Sequence, residues 1–306
     1  MAAIIAAIVV STFAGAWAER RYGAGATTAS RRLLLATLYF VLPPVTFLNL
    51  VDADLGGDAG LGILFGVVSL GLLGLVAWFV ATRVLHLRRA STGAVISSVI
   101  VVNTGYLGYA VVAALFGFDD LGEAVAFDIL VSGPALLIGS FAVGAAFGDG
   151  AGETVRDRIV AFFTRNPALY AAVLAFVAPS SLAPEALVEI SRVAIICILP
   201  LGFFAVGVAL AEGAETGAAA FPPRFDKPVA TAVVIRLAGG PLLLLALSAA
   251  FIDLPDTYLL LATMPCGLNT MVVGHAYGLD LRVAAGAIAW STTIAIIGLS
   301  VAAVVR

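Results

Sequence analysis

Two long apolar stretches of the sequence carry, near their middle, polar side chains beside residues that interrupt helices. These are Asn103, Thr104 and Gly105 in the first stretch, and Pro265, Gly267, Asn269 and Thr270 in the second. Glycine lets the chain leave helical geometry, and proline removes a backbone donor. Backbone freed in this way is tolerated at membrane depth only against protein or a water-filled cavity. The pattern therefore predicts two broken helices that meet at a polar, substrate-binding cavity.

The alternative explanation of these residues is helix packing, because glycine lets helices approach and asparagine can bridge them. Depth favours the site: at about 1.5 Å per residue, Asn103 lies roughly 14 Å and Asn269 roughly 18 Å into a core about 30 Å thick. Both amides are thus expected near the midplane. Half-helix N-termini carry roughly +0.5 charge and free N–H groups, so the cavity should prefer an anion such as a carboxylate.

The composition requires lipid as the solvent for much of the chain. Of the 306 residues, 62% are hydrophobic and 11% are charged, against about 25% charged in soluble domains. Ten apolar stretches of membrane-helix character follow one another: 2–18, 33–51, 61–84, 94–117, 121–147, 167–179, 185–211, 228–252, 257–278 and 283–305. The first ends in Ala16-Trp17-Ala18, like a cleavage site, but arginines follow it and none precedes it. This order predicts a membrane helix and not a signal peptide.

Positive charge alternates between the loops that connect these ten stretches. Every odd-numbered loop is basic, from Arg20 in the first to Arg282 in the ninth, and every even-numbered loop lacks a basic residue. A wrong helix count would break the alternation. The positive-inside rule then predicts a multi-pass protein of the cell membrane with odd loops in the cytoplasm and both termini outside.

The two halves of the sequence resemble each other. Proline occurs in the second helix of each half, at Pro43, Pro44 and Pro200, and Asn-Thr in the fourth helix of each half. Five helices per half require opposite insertion, so the pattern predicts an inverted repeat, with interrupted helices marking the substrate site. The expected units are a first repeat at 1–148, a cytoplasmic connector at 149–166 and a second repeat at 167–306. Secondary candidates for the substrate pathway are Pro43, Pro44, Asn49 and Pro200.

Three full charges fall within the predicted spans, at Asp128, Arg192 and Arg236. A charge near the bilayer centre costs about 2.5–3.5 kcal/mol on insertion scales, so each should face a partner or a cavity. All three are candidates for coupling: Asp128 pairs with Arg192 or takes up a proton during the cycle. The alternatives are that Arg192 bonds Glu189 or snorkels, and that Arg236 snorkels inward or braces the fold.

Several motifs resemble one known family. They are, in order, Asn103-Thr104-Gly105-Tyr106-Leu107-Gly108, Asn166-Pro167, Met264-Pro265 with Asn269, Tyr277-Gly278-Leu279-Asp280 and Ser291-Thr292. With these motifs the whole chain resembles the auxin efflux carrier family of secondary transporters, which includes plant PIN-type carriers and prokaryotic relatives.

The resemblance implies an all-α membrane protein with an NhaA-like arrangement of two inverted five-helix repeats. It also implies a scaffold part and a transport part that carries crossed, broken helices 4 and 9, in an elevator mechanism. Asn103 and Asn269 match positions that line the family's crossover, and the implied function is export of organic carboxylates such as auxin-like acids or dicarboxylates. Two features depart from the plant carriers: the connector at 149–166 is short, and the residues that set auxin selectivity have no clear match.

The expected function is therefore transport of a small organic anion, with no catalytic residue. A membrane receptor or sensor and an intramembrane enzyme are the alternatives, although Asp128 has no second acid at its depth. Cys197 and Cys266 lack partners at metal-ligand spacing, and no cofactor or metal is expected. Coupling to a proton or another ion is left open. The expected partners are the organic anion and the lipid bilayer, with no nucleic acid, and a homodimer is a further alternative.

Overall fold

The computed structural model describes residues 2–51, 57–148, 156, 167–215 and 224–305. Regular structure in this part of the chain is helical, apart from one bridge between two extended residues. The helices are α1 (Ala2–Tyr22), α2 (24–50), α3 (57–84), α4a (Arg89–Ile100), α4b (Thr104–Leu115), α5 (121–147), α6 (Pro167–Val177), α7 (Glu185–Glu215), α8 (Lys227–Ser248), α9a (Asp256–Ala262), α9b (Asn269–Tyr277) and α10 (Leu281–Val305). Each predicted apolar stretch overlaps a helix of this set, with ends that differ by a few residues, and the fourth and ninth stretches are each divided in two.

Three helices of the described chain are long and apolar enough to cross a membrane: Asp58–Val84, Lys227–Ser248 and Leu281–Val301. The outer surface also carries large apolar side chains that water would not favour, such as Phe40 at 78% and Trp17 at 61% exposure. Contiguous apolar surface of this kind marks contact with lipid or with another protein. The fold is that of an all-helical, multi-pass membrane protein.

Prolines inside the long helices are accommodated by π-helical turns. The π turns precede the prolines: Thr37–Val41 before Pro43, Asp128–Ser132 before Pro134, and Ile235–Gly239 before Pro241. A proline has no N–H, and its ring clashes with the carbonyl four residues earlier, whereas a π turn inserts an extra residue at that point. Because the misfit is absorbed locally, α2, α5 and α8 remain continuous.

The helices pack in two groups. The outer group consists of α1, α2, α6 and α7, and the crossover group consists of α3, α4a, α4b, α5, α8, α9a, α9b and α10. Close backbone contact holds the outer group together. A Cβ added to Gly15 of α1 would lie 2.0 Å from the Phe204 carbonyl oxygen, and one added to Gly207 of α7 would lie 2.0 Å from the Thr12 carbonyl oxygen. Glycine on both helices lets α1 and α7 approach as far as their backbones allow.

The turn between α9b and α10 is joined to the start of α4a. Gly278 ends α9b with a φ of 74°, a left-handed conformation that glycine adopts without strain. Asp280 follows, and its Oδ2 accepts a hydrogen bond of 2.7 Å from the Ser91 hydroxyl of α4a. This contact links the two broken helices at one end of the crossover group.

We predict that Gly207→Ala destabilises the protein by about 1–3 kcal/mol, because its methyl group overpacks against the α1 backbone. Thermal unfolding in detergent measures the effect. Gly71→Ala on α3 is the matched control, since a Cβ there meets nothing within 4 Å and alanine favours a helix by about 0.5–1 kcal/mol over glycine. Equal melting temperatures for the two variants would contradict the α1–α7 contact.

Candidate functional site

The two helix breaks meet and pair with each other. Val102, between α4a and α4b, forms an antiparallel bridge with Cys266, between α9a and α9b. The Asn103 N–H donates to the Pro265 carbonyl at 2.9 Å, and the Gly267 N–H donates to the Val101 carbonyl at 2.8 Å. The backbone groups that leave the helices therefore satisfy each other, as a buried, water-free setting requires.

Two further features allow this close pairing. A Cβ at Gly267 would lie 2.8 Å from Val101 Cγ1 and 2.9 Å from the Val102 carbonyl oxygen, so only glycine fits. The Cys266 N–H, which points away from the bridge, donates to the Ser291 hydroxyl of α10 at 3.1 Å. Ser291 is one of the motif residues of the sequence, and the structure shows that it ties the crossover to α10.

Arg236 of α8 binds the C-terminal ends of α4a and α9a, the first halves of the two broken helices. Its guanidinium donates from Nη1 to the Val99 carbonyl of α4a at 3.2 Å, and from Nη2 to the Ala262 carbonyl of α9a at 2.6 Å. Helix C-termini leave carbonyls unpaired and carry roughly −0.5 charge each. One buried cation, 1% exposed, thus serves two negative helix ends. Of the two expectations for Arg236, the structure shows bracing and not snorkelling.

Gly240 makes the space that this arginine needs. A Cβ at Gly240 would lie 2.0 Å from Arg236 Nη2 and 2.6 Å from the Ala262 carbonyl oxygen. Gly240 was not among the predicted residues. Gly240 follows Arg236 by one helical turn in an otherwise apolar helix, and a glycine at that spacing could have indicated that the arginine side chain needs room there.

Buried polar atoms without a hydrogen-bond partner lie at the N-terminal ends of α4b and α9b, the second halves of the two broken helices. Asn103 is 2% exposed, its Oδ1 accepts the Leu107 N–H at 3.2 Å, and its Nδ2 has no hydrogen-bond partner. Thr270 lies at the second position of α9b, fully buried, and its Oγ1 is likewise unpartnered. Asn269 begins α9b and is half-buried. Buried polar atoms are rarely left unpaired, and the hydroxyls of Ser97, Ser98 and Thr292 in the same group of helices are unpartnered as well.

Asp128 of α5 lies against the first turn of α4b. Its Oδ1 accepts a hydrogen bond from the Thr104 hydroxyl, and its Oδ2 accepts one of 2.7 Å from the Tyr109 hydroxyl. A Cβ at Gly105 would lie 3.2 Å from Oδ2, so glycine leaves room for the carboxylate. Tyr109 was not among the predicted residues. The Arg192 side chain lies outside the described part of the structure, and its pairing with Asp128 stays a prediction.

The secondary candidates belong to the outer group. Asn49 donates from Nδ2 to the Val45 carbonyl and to the Ser191 hydroxyl, both at 2.8 Å, and so links α2 to α7. Pro43 and Pro200 are half-buried and Pro44 is exposed. Two residues beyond Pro200, Gly202 of α7 meets the crossover group: a Cβ there would lie 2.4 Å from Tyr106 Cδ1.

Within the described residues, no cluster of three or more His, Cys, Asp and Glu side chains could hold a metal ion. What the arrangement offers is amide and hydroxyl donors, two helix N-termini and one carboxylate. That set can bind and release a polar guest.

Comparison with known proteins identifies a distant relative. No family model matches the chain. Over 235 residues the chain is 24% identical to an uncharacterized transporter of Methanocaldococcus jannaschii, a match that covers 74% of this chain and 72% of that protein. This level of identity supports distant homology to a membrane transporter without assigning a family.

We predict that Arg236→Met lowers the melting temperature in detergent, because two buried carbonyls lose their donor at about 1–3 kcal/mol each. Arg83→Met is the matched control, since Arg83 is exposed at the end of α3 and should change stability little. Gly240→Ala keeps the arginine but fills its space, and should also destabilise. Wild-type stability in both Arg236→Met and Gly240→Ala would rule out the bracing role.

Proposed function

We propose that this protein moves a small organic anion, a carboxylate, across the cell membrane by alternating access, in the direction of export. The observation that carries the proposal is the pair of unpartnered, buried donors at two half-helix N-termini, Asn103 Nδ2 and Thr270 Oγ1. Two helix N-termini and neutral donors favour a negatively charged group. The distant relationship to a transporter agrees with this function and weighs against an enzyme.

The charges around the crossover support an anion and not a cation as the guest. Arg236 already neutralises the negative C-terminal ends of α4a and α9a, so those ends leave no site for a cation. The N-terminal end of α9b retains its partial positive charge, whereas the N-terminal end of α4b faces the Asp128 carboxylate. A carboxylate bound between these two ends would accept from Asn103 Nδ2 and Thr270 Oγ1, replacing water with fixed donors.

For the architecture we propose ten membrane helices in two inverted repeats, 1–148 and 167–306, joined by the connector 149–166. The two packing groups support this: the first two helices of each half lie in the outer group, and the last three lie in the crossover group. The antiparallel bridge between Val102 and Cys266 is also symmetric under a local two-fold rotation, which an inverted repeat requires. This is the NhaA-like arrangement implied by the resemblance to auxin efflux carriers.

The mechanism we propose is an elevator-type movement of the crossover group against the outer group. The outer group is held by backbone contact between α1 and α7 and by the Asn49–Ser191 bond, and it would serve as the scaffold. Tyr106 rests on Gly202 where the two groups meet. A small residue at that point lets an aromatic ring slide past without a side chain in its way.

The binding site is tested by thermal shift with purified full-length protein and two probes, benzoate and succinate. A ligand at 100 times its Kd adds about 2.7 kcal/mol of stability, so the acid that binds should raise the melting temperature of the wild type. We expect Asn103→Ala and Thr270→Val to lose most of that shift because each removes a donor. Retention of the full shift by both variants would place the site elsewhere.

Asn49→Ala and Thr293→Val are the controls for this experiment. Asn49 is a buried amide of the outer group, and Thr293 is an exposed threonine of α10. Asn49→Ala should lower the melting temperature yet keep the ligand-induced shift. Loss of the shift in Asn49→Ala would instead support its role in the substrate pathway.

The orientation, with both termini outside, is tested by fusing reporters to the C-terminus beyond Arg306. We expect alkaline phosphatase, which is active only outside the cytoplasm, to be active there, and green fluorescent protein to be dark. Fusions truncated after Arg88, in a basic loop, should give the opposite result. Fluorescence at the C-terminus would place that end in the cytoplasm and contradict the proposed orientation. It would also contradict the combination of an outside N-terminus with an even number of membrane spans.

A further inference from the structure

The protein places a carboxylate of its own at one of the two helix N-termini proposed to bind the substrate. Asp128 accepts from Thr104, the first residue of α4b, and from Tyr109 in its second turn. A Cβ added to Gly105 would lie 3.2 Å from Oδ2 of the same carboxylate. The positive end of α4b is therefore matched by a negative group, and both carboxylate oxygens have hydroxyl donors.

The surroundings of Asp128 supply hydroxyl groups and apolar surface. From α4b the titratable groups that face it are Tyr106 and Tyr109. Asp128 itself is half-buried, and the neighbouring turns of α5 contact apolar residues of three other helices: Phe47 and Leu50 of α2, Ile63 and Gly66 of α3, and Ala175 of α6. Tyr258 of α9a packs on Phe127 with ring centroids 5.0 Å apart. Among the described side chains, no cation is hydrogen-bonded or ion-paired to Asp128.

A substrate anion at the same helix end would put two negative charges into this setting. Two carboxylates that share a poorly solvated site do not both remain ionised, and one of them takes up a proton. Of the two carboxylates, Asp128 is the one that belongs to the protein, and it is the one we expect to take up the proton. The bound substrate carboxylate would be stabilised as an anion by Asn103 Nδ2 and by the Thr270 hydroxyl of α9b.

We propose that Asp128 takes up one proton when the substrate anion binds, so that anion and proton cross the membrane together. This inference rests on the proposed function. The proton comes from water and forms an O–H bond on one Asp128 oxygen, and no other covalent bond changes. The protonated carboxyl group then donates to the Thr104 or Tyr109 oxygen. The hydroxyl hydrogen of that residue becomes free to turn toward the substrate.

This exchange couples substrate binding to protonation of Asp128: each of the two events makes the other more favourable. Without substrate, the Thr104 hydroxyl is engaged with ionised Asp128. With substrate, protonation removes a repelling charge and releases a hydroxyl donor for the guest. A monocarboxylate carried in this way moves no net charge, which lowers the electrostatic cost of passage through the bilayer.

The test measures proton uptake and binding in the same preparation of full-length protein. Benzoate is added to lightly buffered protein containing a pH-sensitive dye, between about pH 6 and 8, where benzoate is ionised. Wild type should take up close to one proton per benzoate bound. Its affinity for benzoate should therefore fall about tenfold for each unit by which the pH is raised. Asp128→Asn should bind benzoate with no proton uptake and with an affinity independent of pH.

Tyr109→Phe is the matched control, since it removes one donor to Asp128 but keeps the carboxylate, and so should keep the pH dependence. Infrared difference spectra of wild type with ¹³C-carboxyl benzoate give a second measurement that needs no variant. A protonated carboxyl band should appear on binding, and it should not shift with the label.

The outcomes separate the two proposals. If Asp128→Asn binds with the wild-type pH dependence, or if wild type shows no protonated carboxyl band on binding, the coupling role is overturned while the carrier proposal stands. If neither benzoate nor succinate binds wild type, the proposed function fails and this inference fails with it. Should Asp128→Asn not fold, the infrared measurement on wild type decides alone.

Discussion

The structure depends on one constraint: backbone groups released from a helix inside a membrane must find partners within the protein. Two helices are broken here, and the breaks solve the problem together. Val102 and Cys266 pair as a minimal two-stranded ribbon, which satisfies the donors at the centre. Arg236 satisfies carbonyls on either side. Neither broken helix could be buried alone, so the crossover forms as one unit.

The same arrangement separates the charges of the four half-helices. Both negative ends are served by a single arginine, which is held in place because Gly240 leaves room for it. The two positive ends differ. The end of α4b is met by Asp128, whereas α9b presents Asn269 and the unpartnered Thr270 hydroxyl. Under the proposed function, this asymmetry leaves the end of α9b available to the substrate and makes the end of α4b sensitive to the substrate's charge.

Packing outside the crossover divides the described helices into the outer group and the crossover group. Gly15 and Gly207 bring α1 and α7 into backbone contact, and Asn49 joins α2 to α7. These contacts are short-range and specific, as expected of a scaffold. Tyr106 packs against Gly202 where the two groups meet. The proposed movement of one group against the other uses this contact.

Local physics was sufficient for the sequence to determine the helices and their breaks. Continuous apolar stretches require lipid, and Pro265 removes a backbone donor while Gly267 leaves helical geometry easily, so their effect does not depend on distant partners. The first break is different, because Val102 and Asn103 leave the helix whereas Gly105, predicted to lie in the break, is inside α4b. The tertiary structure alone decided the partners. The Arg236 guanidinium meets carbonyls of Val99 and Ala262, and the Asp128 carboxylate meets the Tyr109 hydroxyl. Such contacts depend on how helices pack in three dimensions, and periodicity along one chain carries no record of which side chain a neighbouring helix will present.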